Sequence, residues 1–346
     1  MSANQTPLAN LDTLIFDMDG VLIDVSNSYR QAIIQTVDIF FTKGLGLSYG
    51  TERKPLLNNH DIDLLKQAGG FNNDWDITIA FVIYFLEMLP AQSIFTQPLR
   101  QDVLAMLNYL QMVGKHLSVT LEEMRQYKHI TRLANGVAEM GGGLQAIEKL
   151  LKRRNRHLLP IQGTLTEGNL VQRIFQEIYL GPALFETIYD LFPLIIYQAG
   201  LIDNETLMIN PTTLELLSQR FSLGIATGRP KAEATYSLKR LNIDRYFRVI
   251  ITHDDIIAAD ALGKPDPWSL LEAARQIDPQ PAYSAYIGDT PDDIQAAKTA
   301  VQTMPFLAIG SLAAAADKET LRSHFEEKQA DHIIDHPDQL KEILLA

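Results

Sequence analysis

Apolar and polar positions follow two different periods along this chain, and the change falls near residue 203. Residues 11–16 make a short apolar run after a polar tail, which predicts a strand. From 26 to 41 apolar residues recur at helical spacing, closed by Gly44 and Gly46. The same spacing predicts helices over 61–68, ended by Gly69 and Gly70, over 74–89, with Asp74 as N-cap and Pro90 as the stop, and over 98–113. Thr120 and Glu123 fit a capping box. Further helices are expected over 144–153, 169–180 and 183–191. No strand is expected between 26 and 200, so the middle of the chain reads as an all-helical insertion.

Beyond residue 203 short apolar runs alternate with helical segments. Strands are expected over 223–226, 247–252, 286–287, 303–309 and 332–334. Helices are expected over 212–220, 230–241, 267–276, 292–300 and 339–345. Such alternation argues for a parallel sheet with helices on both faces. The expected fold is therefore α/β: a doubly wound core of residues 1–24 and 203–346, interrupted by the helical insertion of 25–202.

The ends of the apolar runs carry the chemistry. The first breaks into Asp17-Met18-Asp19-Gly20, two carboxylates one residue apart at a strand end. The run at Leu223 ends in Thr227-Gly228-Arg229-Pro230, a hydroxyl followed by a turn. Gly263-Lys264-Pro265-Asp266 puts a lysine just ahead of a helical stretch, and Tyr286-Ile287-Gly288-Asp289 leads into Asp292-Asp293. Each group sits where a βα loop begins, and in open α/β sheets those loops converge at the carboxyl ends of the strands.

Composition narrows the classes. With 346 residues, 46% hydrophobic and 21% charged, the chain can bury two cores. A net charge of −12 argues against non-specific nucleic-acid binding. An anionic ligand would then need local positive charge, from a metal, Lys264 and Arg229. With no cysteine, disulfides, thiolate metal sites and cysteine nucleophiles are excluded. The polar N-terminus has no signal-peptide pattern, and the most apolar stretch, 77–89, is too short to span a bilayer and contains Glu87. A cytosolic protein with no membrane partner is expected; oligomeric state stays open.

Taken in order, the four motifs resemble those of the haloacid dehalogenase superfamily. The resemblance covers about 24 N-terminal residues and nearly everything after position 202. It is nearest to the subfamily whose cap lies between the first and second motifs, as in phosphoglycolate phosphatase and β-phosphoglucomutase, and the long middle suggests a branch with an enlarged cap. The resemblance implies Mg2+-dependent hydrolysis of a small organic phosphate monoester. Asp17 would be the nucleophile, and Asp19 the acid that protonates the leaving alcohol and then activates water. Thr227 and Gly228 would bind phosphate oxygens, and Lys264 would neutralise phosphate and Asp17. Mg2+ would be held by Asp17, Asp289 and the Asp19 carbonyl, with Asp293 acting through a water. Asp289 and Asp293, four apart, would share one helix face if the helix starts there. Alternatives are a phosphomutase using the same aspartyl-phosphate and a non-catalytic binding or regulatory protein.

Other signals point less sharply. Arg229 could reach substrate or lie on the surface. The segment 71–76, with two amides, two acids and two aromatics, could recognise substrate or cap a helix. The basic run 152–157 reads as a helix C-terminus. Gly46-Leu47-Ser48-Tyr49-Gly50 matches a nucleophile pattern but follows a helix, so it is a chance match. Gly141-Gly142-Gly143 reads as a flexible turn.

Overall fold

The structure, a computed structural model, describes residues 7–71, 74–91, 102–151, 155–159, 165–196, 198–279 and 281–345. Its chain divides into two units, Met1–Val25 with Glu205–Ala346, and Ser26–Asn204.

The first unit is built on β1 (Thr13–Phe16), whose four residues are all buried. A strand covered on both faces needs apolar side chains throughout rather than alternation. Its companions are β2 (Ile23–Asp24), β3 (Thr206–Leu207), β4 (Ser222–Ala226), β5 (Phe247–Ile251), β6 (Ser284–Gly288), β7 (Phe306–Ser311) and β8 (His332–Ile334). Five of them join β1 in one six-stranded parallel sheet in the order β5-β4-β1-β6-β7-β8. The order runs outward from β1 to β5 on one side and from β6 to β8 on the other. The reversal flanks β1, and at such a switch point the loops leaving neighbouring strands part and open a crevice.

Helices between the strands cover the sheet. Ile15, Ala226, Tyr286 and Ala308 from the strands pack with Leu270, Ala274, Ile294 and Phe325 from the helices in one apolar cluster. The α/β, doubly wound expectation describes this unit. A two-stranded antiparallel ribbon, β2 with β3, joins the segment leaving for the second unit to the segment returning from it. At two residues per strand it was invisible to periodicity. Helices His253–Ala258 and Lys318–Glu327 were also missed. The first opens at Thr252, assigned to a strand by its apolar approach; its capping box with Asp255 was the overlooked signal.

The second unit is helical, and among its described residues there is no strand. Helix Asn59–Gln67 starts two residues earlier than expected, because Asn58 and Asp61 form a capping box. Helix Val103–Gly114 is capped by Asp102. Helix Ile130–Glu139 was not anticipated, although Ile130, Leu133, Ala134 and Val137 mark one buried face. The helices expected over 169–180 and 183–191 are the two halves of Leu170–Tyr189, broken at Gly181 before Pro182. Helix Asp74–Met88 includes Asp74 as its first residue rather than its cap, and Asp74 pairs with Lys66 at 2.9 Å. Asn72, Asn73 and Lys152 to Arg154 lie outside the described residues. Gly141 to Gly143 serve packing: the Gly143 N–H donates to Gly69 O at 2.9 Å, and a Cβ on Gly70 would lie 2.7 Å from Gly143 N. No described helix is long and apolar enough to cross a membrane.

Candidate active site

Register brings the motif residues together. Phe16 of β1 pairs with Ile225 of β4 and with Ile287 of β6, so the chain leaves all three strands at one level. Asp17 is the first residue past β1, and its N–H still donates to Ile287 O at 2.8 Å. Thr227 follows β4 with its N–H on Ile251 O at 2.9 Å. Asp289 follows β6. The turn after Asp19 depends on Gly20, whose φ is +77°. A Cβ there would sit 2.1 Å from Asp289 Oδ2, so a side chain would drive the two acidic loops apart.

The carboxylates of Asp17, Asp289 and Asp293 each offer an oxygen within 4.8 Å of the others. Lys264 Nζ lies 3.0 Å from Asp17 Oδ1, 2.7 Å from Asp293 Oδ1 and 2.9 Å from the Tyr286 hydroxyl. Asp293 is fully buried. Its Oδ2 accepts the Asp289 and Thr290 N–H groups at 3.1 and 2.9 Å and the Thr290 hydroxyl at 2.8 Å. Asp289 is not on the helix: Pro291–Ala300 begins after the N-cap Thr290. The shared helix face is therefore corrected. The two acids meet because Asp293, third in the helix, reaches back over its own N-terminus as the second half of a capping box.

Burial pushes Asp17 up to about 7; Lys264 opposes the rise, while Asp293 and Asp19 add to it. Burial also works against a charged Lys264, but Asp17 and Asp293 outweigh it and hold the amine well above its ordinary range. Tyr286 is raised by burial and by the same two acids, so it stays a neutral phenol. One ammonium thus faces three carboxylates, and negative charge is in excess.

Asp19 lies close enough to the cluster to add to the rise at Asp17. Its carboxylate turns to Arg229, whose Nε donates to Asp19 Oδ1 at 2.7 Å. Arg229 is not a surface residue, being 2% exposed. It also pairs with Glu205 at 3.0 Å. Thr227 is buried, and its Oγ1 accepts the Arg229 N–H at 3.2 Å, which leaves the hydroxyl proton for another acceptor. Gly228 is exposed between them. Sequence reasoning missed Tyr286, Glu205 and Ser237. Tyr286 stood in plain view inside the fourth motif; the other two carry no local signal.

A sequence profile of the family described as haloacid dehalogenase-like hydrolase matches residues 11–300. The chain belongs to this family. This haloacid dehalogenase-like hydrolase is 25% identical over 292 residues to an imidazoleglycerol-phosphate dehydratase of Phytophthora nicotianae, covering 84% of this chain and 42% of that protein. It is 33% identical over 101 residues to a phosphorylated carbohydrates phosphatase of Thermotoga maritima, 28% of this chain and 45% of that one. A phosphoglycolate phosphatase of Salmonella choleraesuis is 38% identical over 79 residues, 23% of this chain and 30% of the relative. The chain thus spans less than half the length of these curated relatives. An X-ray structure of a structural-genomics target superposes with a TM-score of 0.63 at 21% identity, covering 96% of this chain and 98% of the other, which is a likeness of fold.

Proposed function

We propose that this haloacid dehalogenase-like hydrolase cleaves a small organic phosphate monoester by transferring the phosphoryl group to Asp17. The observation that carries the reading is the Asp17 carboxylate at the switch point, fixed by Lys264 at 3.0 Å inside a three-carboxylate cluster. The names of the three relatives add a common chemistry, a phosphorylated small molecule.

The residues fit Mg2+. Three hard oxygen donors lie within 4.8 Å of one another, and one lysine does not balance them. Asp17, Asp289 and Asp293, with the Asp19 main-chain carbonyl, would hold it. When bound, the ion offsets the repulsion between the Asp17 carboxylate and a phosphate dianion.

The remaining steps belong to the chain's own groups. Thr227 Oγ, the Gly228 N–H and Lys264 Nζ bind the phosphate oxygens and align phosphorus with Asp17. Asp17 attacks phosphorus, the bond to the leaving oxygen breaks, and Asp19 gives that oxygen its proton. Asp19, now a carboxylate, takes a proton from water; the hydroxide attacks phosphorus and Asp17 leaves. Lys264 stays protonated throughout, because Asp17 and Asp293 raise its proton affinity. The test is phosphate release from a panel of metabolite phosphates and aryl phosphates with Mg2+ present. Turnover by wild type that disappears in Asp17→Asn supports the reading; a panel with no turnover overturns it and favours a binding protein.

A further inference from the structure

Arg229 directly follows the Thr227-Gly228 pair, where an arginine would be assigned to the substrate phosphate. Its surroundings say otherwise. A guanidinium has five N–H donors and no acceptor. Nε donates to Asp19 Oδ1 at 2.7 Å, and one Nη2 proton goes to the same oxygen. The other Nη2 proton goes to Glu205 Oε1 at 3.0 Å, and Nη1 donates to Glu205 Oε2 at 3.1 Å and to Ser237 Oγ at 3.0 Å. All five donors are committed inside the protein, and none remains for a substrate.

The holder of this guanidinium is itself held. Glu205 is 1% exposed and Ser237 is fully buried. The Ser237 hydroxyl donates to Glu205 Oε2 at 2.6 Å, and Arg240 Nη2 donates to the Glu205 carbonyl at 2.7 Å. The bidentate Arg229–Glu205 fork fixes the guanidinium plane, since two parallel N–H···O bonds define direction as well as distance. A pair serving only to join β3 to helix Lys231–Arg240 would be complete with Glu205 and Ser237. The Nε edge is instead aimed at a carboxylate whose side chain is 30% exposed. Glu205 immediately precedes β3, where Thr206 pairs with Asp24, so the ribbon linking the two units anchors the arginine.

We infer that Arg229 is a positioning residue: held by Glu205 and Ser237, it fixes the Asp19 carboxylate in the orientation that delivers a proton to the leaving oxygen. This rests on the phosphatase reading above. Misplacing a general acid hurts poor leaving groups and spares good ones, whereas losing a phosphate ligand hurts all alike.

The experiment measures kcat and kcat/KM for wild type, Arg229→Lys, Arg229→Gln and Glu205→Gln on aryl phosphates of graded leaving-group pKa and on one alkyl phosphate. kcat/KM reports steps through the first phosphoryl transfer. For both Arg229 variants it is expected to fall about 100-fold on the alkyl ester and only about threefold on 4-nitrophenyl phosphate, within the range of general acid catalysis. Glu205→Gln should show the same selectivity at about tenfold. Should the Arg229 variants not fold, Ser237→Ala removes one acceptor and keeps both ion pairs; a loss confined to poor leaving groups is again expected. A uniform fall across leaving groups with raised KM would make Arg229 a phosphate ligand and overturn the inference, as would unchanged kinetics. A wild type without turnover overturns the phosphatase reading and the inference with it, a result distinct from either.

Discussion

The main-chain N–H of Asp289 donates to Oδ2 of Asp293 at 3.1 Å. One acid thereby sets the loop that presents the other, while the opposite oxygen of Asp293 receives Lys264 at 2.7 Å. The two acids therefore differ in role, and their variants should differ in kind. Asp289→Asn is expected to raise the Mg2+ needed for half-maximal activity at least tenfold with the melting temperature unchanged, in line with losing a ligand charge. Asp293→Asn should also lower stability by about 1–3 kcal/mol, because an amide cannot accept on both sides and leaves buried donors unmet. Mg2+ titration of activity, Mn2+ binding and thermal melts give the three readouts. Full activity in chelator would falsify the metal assignment.

Asp17→Asn keeps the side chain's shape and removes the charge of the proposed nucleophile. Turnover is expected to fall by at least about a thousandfold. Burial holds Asp17 up near 7, so its ionised form is destabilised in the fold, and the variant should melt no lower than wild type at pH 8. Rapid quench with radiolabelled substrate should trap acid-stable, hydroxylamine-labile label on wild type and none on the variant. Equal labelling of both proteins would place the nucleophile elsewhere.

A second buried ion pair organises the helical unit. Glu177 accepts Arg173 Nε at 2.6 Å and the N–H groups of Leu194, Ile195 and Ile196 at 2.9, 2.7 and 2.9 Å. Arg173 lies over the Phe185 ring, 4.6 Å from its centroid. Removing the arginine strands a fully buried carboxylate, so Arg173→Met should cost about 3–5 kcal/mol. Replacing both with Met and Leu does not restore stability as an isolated buried pair would allow, since three main-chain donors then lose their acceptor. Denaturant melts of the two variants decide this: a double variant as stable as wild type would contradict it.

How far such relationships were legible in the sequence depends on spacing. Asp17, Thr227 and Asp289 announced themselves because each follows an apolar run, and a run that ends in polar chemistry marks a strand end; Lys264 stood out as a lysine just ahead of a helical stretch. Helix Lys318–Glu327 escaped because it buries only Leu321 and Phe325, too few to show a period. Glu205 and Ser237 lie 24 and 8 residues from Arg229. No local pattern distinguishes a buried acid that clamps an arginine from a solvated one; Glu205 comes from just ahead of β3 in the antiparallel β2–β3 ribbon and Ser237 from helix Lys231–Arg240, and only the folded chain brings them together. Asp293 was read as a metal helper, and its second job as a helix cap was hidden by a helix start placed one residue late, at 292 instead of Pro291.

Asp38 in the helical unit gives a pH test away from the Asp17, Asp289 and Asp293 cluster. It is 6% exposed, with Oδ1 accepting the Leu56 N–H at 2.9 Å and Oδ2 facing the Tyr49 hydroxyl at 3.4 Å. Burial pushes its pKa from 3.8 to about 6, against the lowering by those bonds. Between those values the folded state keeps a proton that the unfolded state releases, so stability falls as pH rises through the window. Asp38→Asn removes the titration while its amide oxygen can still accept from Leu56. The stability of wild type minus that of the variant should fall by about 2–3 kcal/mol from pH 3.5 to pH 7. A difference flat in pH would mean that Asp38 ionises in the fold as it does in the open chain.

Phosphatase and mutase share the Asp17 step and part at the acceptor, water in one and a sugar hydroxyl in the other. In the proposed mechanism the acceptor is chosen by what Asp19 deprotonates, and Asp19 is 30% exposed, which favours water. In oxygen-18 water, with any substrate found by screening, the released phosphate should carry one labelled oxygen per turnover and the leaving alcohol none. Label in phosphate means that the second attack is at phosphorus by solvent; label in the alcohol would mean carbon–oxygen cleavage, against attack by Asp17. A mutase would leave little free phosphate and abundant unlabelled product isomer, and that outcome would reverse the choice made here. Added glycerol supplies a control on the same intermediate. If phosphoryl-Asp17 is common to all substrates, the ratio of glycerol phosphate to free phosphate should be one constant, whatever the leaving group. A ratio that changes with the leaving group would mean that phosphoryl transfer bypasses Asp17.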